Sequence, residues 1–266
     1  MSVLAFLPSV MERKKYSKAP ISEVIIGITW ERALLQDKGQ FFNIYNSILQ
    51  EFPIIQYFQP LVNEDLVGYR LHPEFDIQKT GPNLCRFFST DKNWLVQLQF
   101  NKLYLNWIRQ SEDDVYPGFE IVRDKFLKIL DLVSNDDTYT SVKSLELNYQ
   151  NRFPWSNYMK DLSELHEFIN YKPAEVFIGR KAAQLNNAFS RYLFHESAIN
   201  GFGSLSINTS TDVKDSITQL LFIDFTLRGK PEEGQFGLKK WFELAHEFQY
   251  EQFTNFFKNN LKGKWE

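Results

Sequence analysis

Histidines and carboxylates are the first candidates for metal chemistry in this sequence. His166, His195 and His246 are each followed by glutamate, but none has the second histidine four residues later that a zinc-protease helix requires. Glu243 and His246 have the i, i+3 spacing of half a di-iron carboxylate site, and the second Glu-x-x-His is missing. We therefore expect neither a metal ion nor a cofactor.

Motifs for phosphate binding and nucleophilic catalysis are incomplete. Gly229 and Gly234 have the outer spacing of a Walker loop, but Gln235 and Phe236 stand where lysine and serine or threonine would hold phosphate and magnesium. The Gly-x-Ser-x-Gly nucleophile elbow is absent. Asp224 and Glu146 could form part of an Asp…Glu-x-Lys nuclease centre, but Glu146 lacks the following x-Lys. The sequence favours a non-enzymatic protein, with an enzyme built from scattered residues as an alternative.

Polar residues concentrate on the strand predicted over 147–153. Asn148, Gln150 and Arg152 share one face of it, and these amides need hydrogen-bond partners if they are covered. Similar side chains end the earlier strand predicted over 103–107. Asp224, a carboxylate among phenylalanines on the last predicted strand, is expected to pair with an arginine or to face water. The candidate binding residues are Asn106, Trp107, Arg109, Tyr149, Asn151, Arg152 and Asp224.

Hydrophobic periodicity predicts the elements that position these residues. Strict alternation predicts strands over 22–30, 84–89, 93–100, 103–107, 144–150, 186–195, 203–209 and 217–228. Helical spacing predicts helices over 40–52, 119–133 and 238–261, the last ending in a polar Lys-Gly-Lys tail, and a shorter helix over 160–170. Cys85, on one of these strands, is expected to be a buried apolar residue.

The order of these elements repeats. Each half begins with a strand and a helix, continues with antiparallel strands and ends with a long amphipathic helix. We predict an α+β fold in which a duplicated β-α-β-β-β(β)-α unit forms one continuous antiparallel sheet with long helices on one face. The N-terminal segment is 1–20, the first repeat 21–137 and the second 138–266, with the joint at the polar turn 134–137. The candidate residues would then lie near the junction of the repeats.

Composition narrows the class of protein. Lys plus Arg is 30 and Asp plus Glu is 33, so the net charge of −3 argues against a protein that mainly coats phosphate backbones. A hydrophobic content of 43% excludes wholesale disorder. The lone Cys85 cannot form an internal disulfide, and the apolar start precedes its basic residues, which is the reverse of a secretory signal. We expect a cytoplasmic protein without membrane spans.

A nucleic-acid-binding strand is only partly matched. The segment 200–207 resembles the RNA-recognition strand in its Gly-Phe-Gly core, but it lacks the leading basic residue and both later aromatics. Nucleic acid is therefore a less favoured partner than a protein.

Several segments together resemble an uncharacterised bacterial and archaeal family that is catalogued as a sporadically distributed protein family. The entry over 18–24 resembles the family's PLxEV opening, and Leu147–Arg152 resembles its RYxNR strand. The closing Ala245–Phe253 is similar to its lHxxIxxxF helix, and further similarity lies at 93–98, 105–107, 116–119 and 221–224. This chain differs in Phe153-Pro154 and in its highly aromatic closing helix.

The resemblance implies a context and no chemistry, because the family has no established activity. Its patchy distribution resembles that of phage-defence and toxin–antitoxin genes. We therefore expect a non-enzymatic interaction or regulatory subunit of a sporadically inherited, phage-defence-like gene system, which docks a protein partner encoded nearby or a second copy of itself. The alternative is a nucleic-acid or small-ligand binder in a groove between the repeats.

Overall fold

Alternating apolar side chains produce nine strands in the computed structural model, which describes residues 16, 18–31, 38–58, 84–99, 101–133, 141–154, 158, 162–170, 189–211, 219–232 and 234–266. The strands are β1 (Ile21–Trp30), β2 (Ile54–Phe58), β3 (Leu84–Phe88), β4 (Trp94–Gln99), β5 (Lys102–Ile108), β6 (Val142–Pro154), β7 (Phe189–Glu196), β8 (Gly201–Thr211) and β9 (Gln219–Gly229). The α-helices are α1 (Lys38–Leu49), α2 (Phe119–Val133), α3 (Gly234–Phe256) and α4 (Asn259–Lys262).

The nine strands form one antiparallel sheet in the order β2-β3-β4-β5-β1-β6-β9-β8-β7. Strands β1 and β6 pair near the middle of the sheet. In this pairing Glu23 lies opposite Gln150, and Ile26 lies opposite Leu147. We call this β1–β6 pairing the seam, because it joins the strands of the two halves. The predicted α+β class and continuous antiparallel sheet are thereby confirmed.

The helices cover one face of the sheet. Val24, Ile26 and Ile28 of β1 point into a fully buried core that also contains residues of α2 and α3. The rings of Phe126 and Phe242 meet edge to face at 5.6 Å between these two helices. Each fully buried side chain of this size contributes about 1.5–3 kcal/mol, so this face holds the sheet and helices together.

The predicted helix over 238–261 was wrong at both ends. Helix α3 starts at Gly234 and ends at Phe256, after which Phe257 forms a β-bridge with Ile169. Lys258 is extended, with φ −75° and ψ 157°, and the short α4 follows. Trp265 beyond it is buried and packs edge to face on Phe257 at 5.0 Å, whereas Gly263 and Lys264 of the Lys-Gly-Lys tail are exposed. Aromatic packing therefore redirects the chain where helical spacing alone would continue it.

The predicted helix over 160–170 is only a 3-10 turn over Leu162–Glu167 within the described residues. The backbone beyond it bonds to the end of α3, where the Asn170 amide donates to the Phe256 carbonyl at 2.7 Å. This pairing holds the chain extended and prevents further helical turns. Strand β2 was not predicted, because it has five residues and three of them are exposed. The joint 134–137 and most of the N-terminal segment 1–20 lie outside the described residues.

None of the described helices is both long enough and apolar enough to span a lipid bilayer.

Gly27 permits a close crossing at the seam. A Cβ atom at this position would lie 2.0 Å from Cδ1 of Tyr104, so the Tyr104 ring occupies the space above the glycine. The Tyr104 hydroxyl reaches Glu146 Oε2 on the far side of β1, at 3.4 Å. Only glycine lets a β5 side chain cross β1 in this way.

We expect Gly27→Ala to destabilise the protein by about 1–3 kcal/mol, because the added methyl group must displace the Tyr104 ring from a packed surface. Urea unfolding measures the difference. Gly263→Ala is the matched control, since a Cβ there has nothing within 4 Å. Equal unfolding midpoints for the two variants would contradict the packing of Tyr104 over Gly27.

Candidate functional site

The sheet face opposite the helices carries polar side chains. Because side chains alternate along a strand, the residues between the apolar ones of the central strands point to this second face. It includes Glu23, Thr29, Gln97, Asn106, Glu146, Asn148, Gln150, Asp224, Thr226 and Arg228. We call it the polar face. Several of these side chains are buried, so their polar atoms need partners.

A hydrogen-bond chain crosses the first half of the polar face. Arg86 Nε donates to Gln97 Oε1 at 3.0 Å, and Gln97 Nε2 donates to Asn106 Oδ1 at 3.1 Å. Asn106 Nδ2 then donates to Glu23 Oε1 at 2.5 Å. Burial raises the pKa of Glu23, while the bond from Asn106 and the charge of Arg86 oppose that rise. The chain thus fixes the Glu23 carboxylate at the seam.

Glu146 belongs to a separate contact on the second half. Arg228 Nε donates to Glu146 Oε2 at 2.7 Å, so this carboxylate is paired with a cation. Asp224 lies opposite Gln150, four residues further along β6, which corresponds to about 13 Å. Glu146 and Asp224 therefore do not converge as a nuclease pair would require.

Four hydrogen-bond acceptors meet at the seam. Glu23, Gln150 and Asp224 are direct neighbours across β1, β6 and β9, and Asn148 lies diagonally beside Asp224. We call these four residues the acceptor cluster. Asn148 Nδ2 donates to Thr226 Oγ1 at 2.5 Å, which orients the amide. Asn148 Oδ1 and Asp224 Oδ1 are buried, and neither has a hydrogen-bond partner in the described part of the chain.

The electrostatics of the acceptor cluster follow from its composition. Burial, and to a lesser extent the charge of Glu23, raises the pKa of Asp224 to about 6. With strands about 4.8 Å apart, the backbones of Glu23 and Asp224 are about 10 Å apart, with Gln150 between them. From the sequence, Asp224 is expected to pair with an arginine or to face water. In the structure its side chain is partly exposed, and its Oδ1 is buried without a donor among the described residues.

Solvent reaches the acceptor cluster from one side. Asn148 is 9% exposed at its inner end, whereas Glu23, Gln150 and Asp224 are half-buried. Beyond them Arg152 is exposed on the same face. The cluster therefore opens toward the end of the sheet where β1 begins and β6 ends.

The predicted site residues are divided between the two faces. Asp224 belongs to the acceptor cluster, and Asn106 and Arg152 lie beside the cluster on the polar face. Arg109 follows β5, where its Nη1 donates to the Ala19 carbonyl at 3.1 Å and burial lowers its pKa. The backbone amide of Arg152 donates to the Pro20 carbonyl at 2.8 Å. The two arginines therefore flank the segment that leads into β1.

Trp107, Tyr149 and Asn151 lie on the helix-covered face. The Tyr149 hydroxyl is 3.1 Å from Nδ1 of His246. Asn151 is fully buried, and its Nδ2 donates to the Ile223 carbonyl at 3.0 Å. The structure places these three in the core, away from the acceptor cluster.

Two residues of α3 also turn out to have separate partners. Glu243 pairs with Arg123 of α2 at 3.1 Å, whereas the His246 ring stacks on Phe119 at 4.0 Å between centroids. Their helical spacing therefore does not produce a shared site. Within the described ranges, no three His, Cys, Asp or Glu side chains come together to hold a metal ion.

Sequence analysis missed Glu23 entirely and did not assign Asn148 and Gln150 to a site. One signal for such a site was available in the sequence. Polar residues alternate with apolar ones along central strands, as Gln97 and Gln99 do in β4. That pattern marks a second, polar face on a central strand. It cannot show which strands are neighbours, and so it cannot bring Glu23 beside Gln150.

No protein-family model matches this chain, and no curated protein matches it significantly. The family resemblance of the sequence therefore stays a prediction.

The raised pKa of Asp224 predicts that stability depends on pH. An unperturbed aspartate has a pKa of 3.8, whereas the pKa of Asp224 is about 6 in the folded protein, so the folded state binds the proton more tightly. The contribution of Asp224 to stability must then fall as pH rises from about 4 to about 6. We expect Asp224→Asn to reduce this fall and to raise the free energy of unfolding at pH 7 by roughly 1 kcal/mol, discounted for partial exposure.

Urea unfolding at pH 4, 5, 6 and 7 tests this expectation. Asp113→Asn, on an exposed loop, is the control and should follow the wild-type profile. An Asp224→Asn profile parallel to that of the wild type would show that Asp224 titrates as it does in the unfolded chain.

Proposed function

We propose that this protein is a non-enzymatic binding subunit that holds a small ligand at the acceptor cluster. The observation that carries the proposal is the pair of buried oxygens, Asn148 Oδ1 and Asp224 Oδ1, without donors in the described part of the chain. Each unmet buried acceptor costs about 1–3 kcal/mol. A ligand that supplies donors would remove that cost, so the folded protein favours its binding.

The acceptor cluster draws on both halves of the chain, as expected of a groove between repeats. Glu23 comes from the first half, and the other three residues come from the second. We infer that the halves are repeats with boundaries at 21–137 and 138–266. The pairing of β1 with β5 and of β6 with β9 supports this inference, because the first strand of each half pairs with its last.

A ligand at the seam suits a regulatory role. It would contact β1 of one half and β6 and β9 of the other, and so stabilise their arrangement by mass action. A cytoplasmic regulatory subunit of a sporadically inherited defence system, as the resemblance implies, would respond to a small molecule in this way.

Native mass spectrometry tests the ligand-binding proposal on protein purified gently from its own host. We expect the wild type to carry a non-covalent small-molecule adduct and Asp224→Asn to lose it. Gln56→Ala is the control, since Gln56 is exposed on the polar face at the edge strand β2, four strands from β1, and should leave the adduct in place.

A wild-type chain without any adduct, and unshifted in thermal stability by extracts of host metabolites, would contradict the proposal. So would an adduct that persists in Asp224→Asn.

Protein docking is the second candidate function, and a different surface favours it. Leu193 of β7 is 53% exposed and Phe202 of β8 is 42% exposed, and they are diagonal neighbours on the polar face. Exposed aromatic residues are preferred anchors of interfaces. The rings of α3 are less suited to this role, because Trp241, Phe242 and Phe256 are buried.

Co-purification with the products of neighbouring genes tests protein docking. We expect Phe202→Ser to weaken the complex by about tenfold, as loss of an aromatic anchor does. Phe236→Ser is the matched control, because Phe236 is 78% exposed at the start of α3, on the other side of the sheet. Equal retention of the partner by both variants would exclude this surface as the interface.

A further inference from the structure

The acceptor cluster defines the chemistry of what it binds. Its four side chains offer two carboxylates and two amide oxygens, and the Asn148 amide has already used its Nδ2 on Thr226. Asn106 donates to one oxygen of Glu23, which leaves the second for other contacts. The cluster therefore presents acceptors and negative charge in excess of donors among the described residues.

Other charged groups of the polar face are engaged or distant. Arg86 donates to Gln97, and Arg228 donates to Glu146. Arg152 lies over the Phe222 ring at 5.8 Å. Arg191 is two strands from Asp224, beyond Ser206, which corresponds to about 10 Å.

Lys102 of β5 lies opposite Thr29, six residues from Glu23 along β1 and therefore about 20 Å away. No described cation donates to Asp224 Oδ1, since that atom has no hydrogen-bond partner.

We propose that the acceptor cluster binds a small organic cation whose N–H groups donate to Asp224, Glu23 and Asn148. This inference rests on the function proposed above and specifies its ligand. An anion would be repelled by two carboxylates, and a neutral ligand would leave their charge uncompensated. A guanidinium group offers five donors in a planar fork that matches carboxylates, and an ammonium group offers three.

Access and depth fit a small molecule. The half-buried row of Glu23, Gln150 and Asp224 admits the cation, and the buried Asn148 forms the inner wall. A cation above Gln150 lies between the two carboxylates, which are on the strands to either side.

Isothermal titration with agmatine, which carries both guanidinium and ammonium groups, tests the proposal on the full chain. Affinity should rise about tenfold between pH 5 and pH 7.5, because the Asp224 carboxyl, with a pKa of about 6, must be ionised to pair with the cation. The opposite trend, or none, would contradict the assignment. Tetramethylammonium, a cation without N–H donors, should bind at least tenfold more weakly than agmatine.

Two variants make the assignment specific. Asp224→Asn should weaken agmatine binding at pH 7.5 at least tenfold and abolish its pH dependence, and Asp113→Asn should change neither. Gln150→Glu adds a charge between the carboxylates and should strengthen binding. Weakened agmatine binding in Gln150→Glu would contradict a cation placed above Gln150, between the two carboxylates.

Failure of this inference can be distinguished from failure of the proposed function. If agmatine does not bind, but the native adduct is still lost in Asp224→Asn, the organic-cation inference is overturned and the ligand-binding function stands. If a basic peptide binds and agmatine does not, the occupant is a protein segment and the small-cation inference is again overturned.

Discussion

The pairing of β1 with β6 is the constraint on which the rest of the structure depends. Strands β2 to β5 lie on the β1 side of the seam, and strands β7 to β9 lie on the β6 side. The two groups of strands are therefore joined into one sheet only by the pairing of β1 with β6. The same register that places Ile26 opposite Leu147 in the core also places Glu23 opposite Gln150 on the polar face. A slip of one residue would exchange the two faces, so core packing fixes the arrangement of the acceptor cluster.

The polar face is stable because most of its buried groups find partners within it. The chain from Arg86 through Gln97 and Asn106 to Glu23 uses donors and acceptors in sequence, and the pairing of Glu146 with Arg228 compensates both charges. Within the described residues, the shortage of donors on this face falls on Asn148 and Asp224. On this face, the acceptors without donors therefore lie next to each other beside Gln150.

Sequence periodicity predicted most strands, the limits of α2 and the α+β class, because apolar alternation and helical spacing record burial directly. It failed after Phe256, where packing of Phe257 and Trp265 overrides helical spacing. The candidate site was predicted only in part. Asp224 belongs to the acceptor cluster and Asn106 and Arg152 lie beside it, whereas neighbours in sequence such as Asn151 point to the opposite face. Glu23 joins Gln150 through strand order, and a single sequence does not encode strand order as a local pattern.

The rigidity of the scaffold explains why the donor shortage persists in the folded chain. Thr226 holds the amide of Asn148, and Asn106 holds the carboxylate of Glu23, so neither side chain can turn to find another partner without breaking a bond. Asp224 sits on a central strand whose backbone is paired on both sides. Acceptors held in place before binding lose little conformational entropy when a donor arrives. The buried Oδ1 of Asp224, which lacks a donor among the described residues, therefore lowers the stability of the free protein. A ligand with N–H donors would restore that stability.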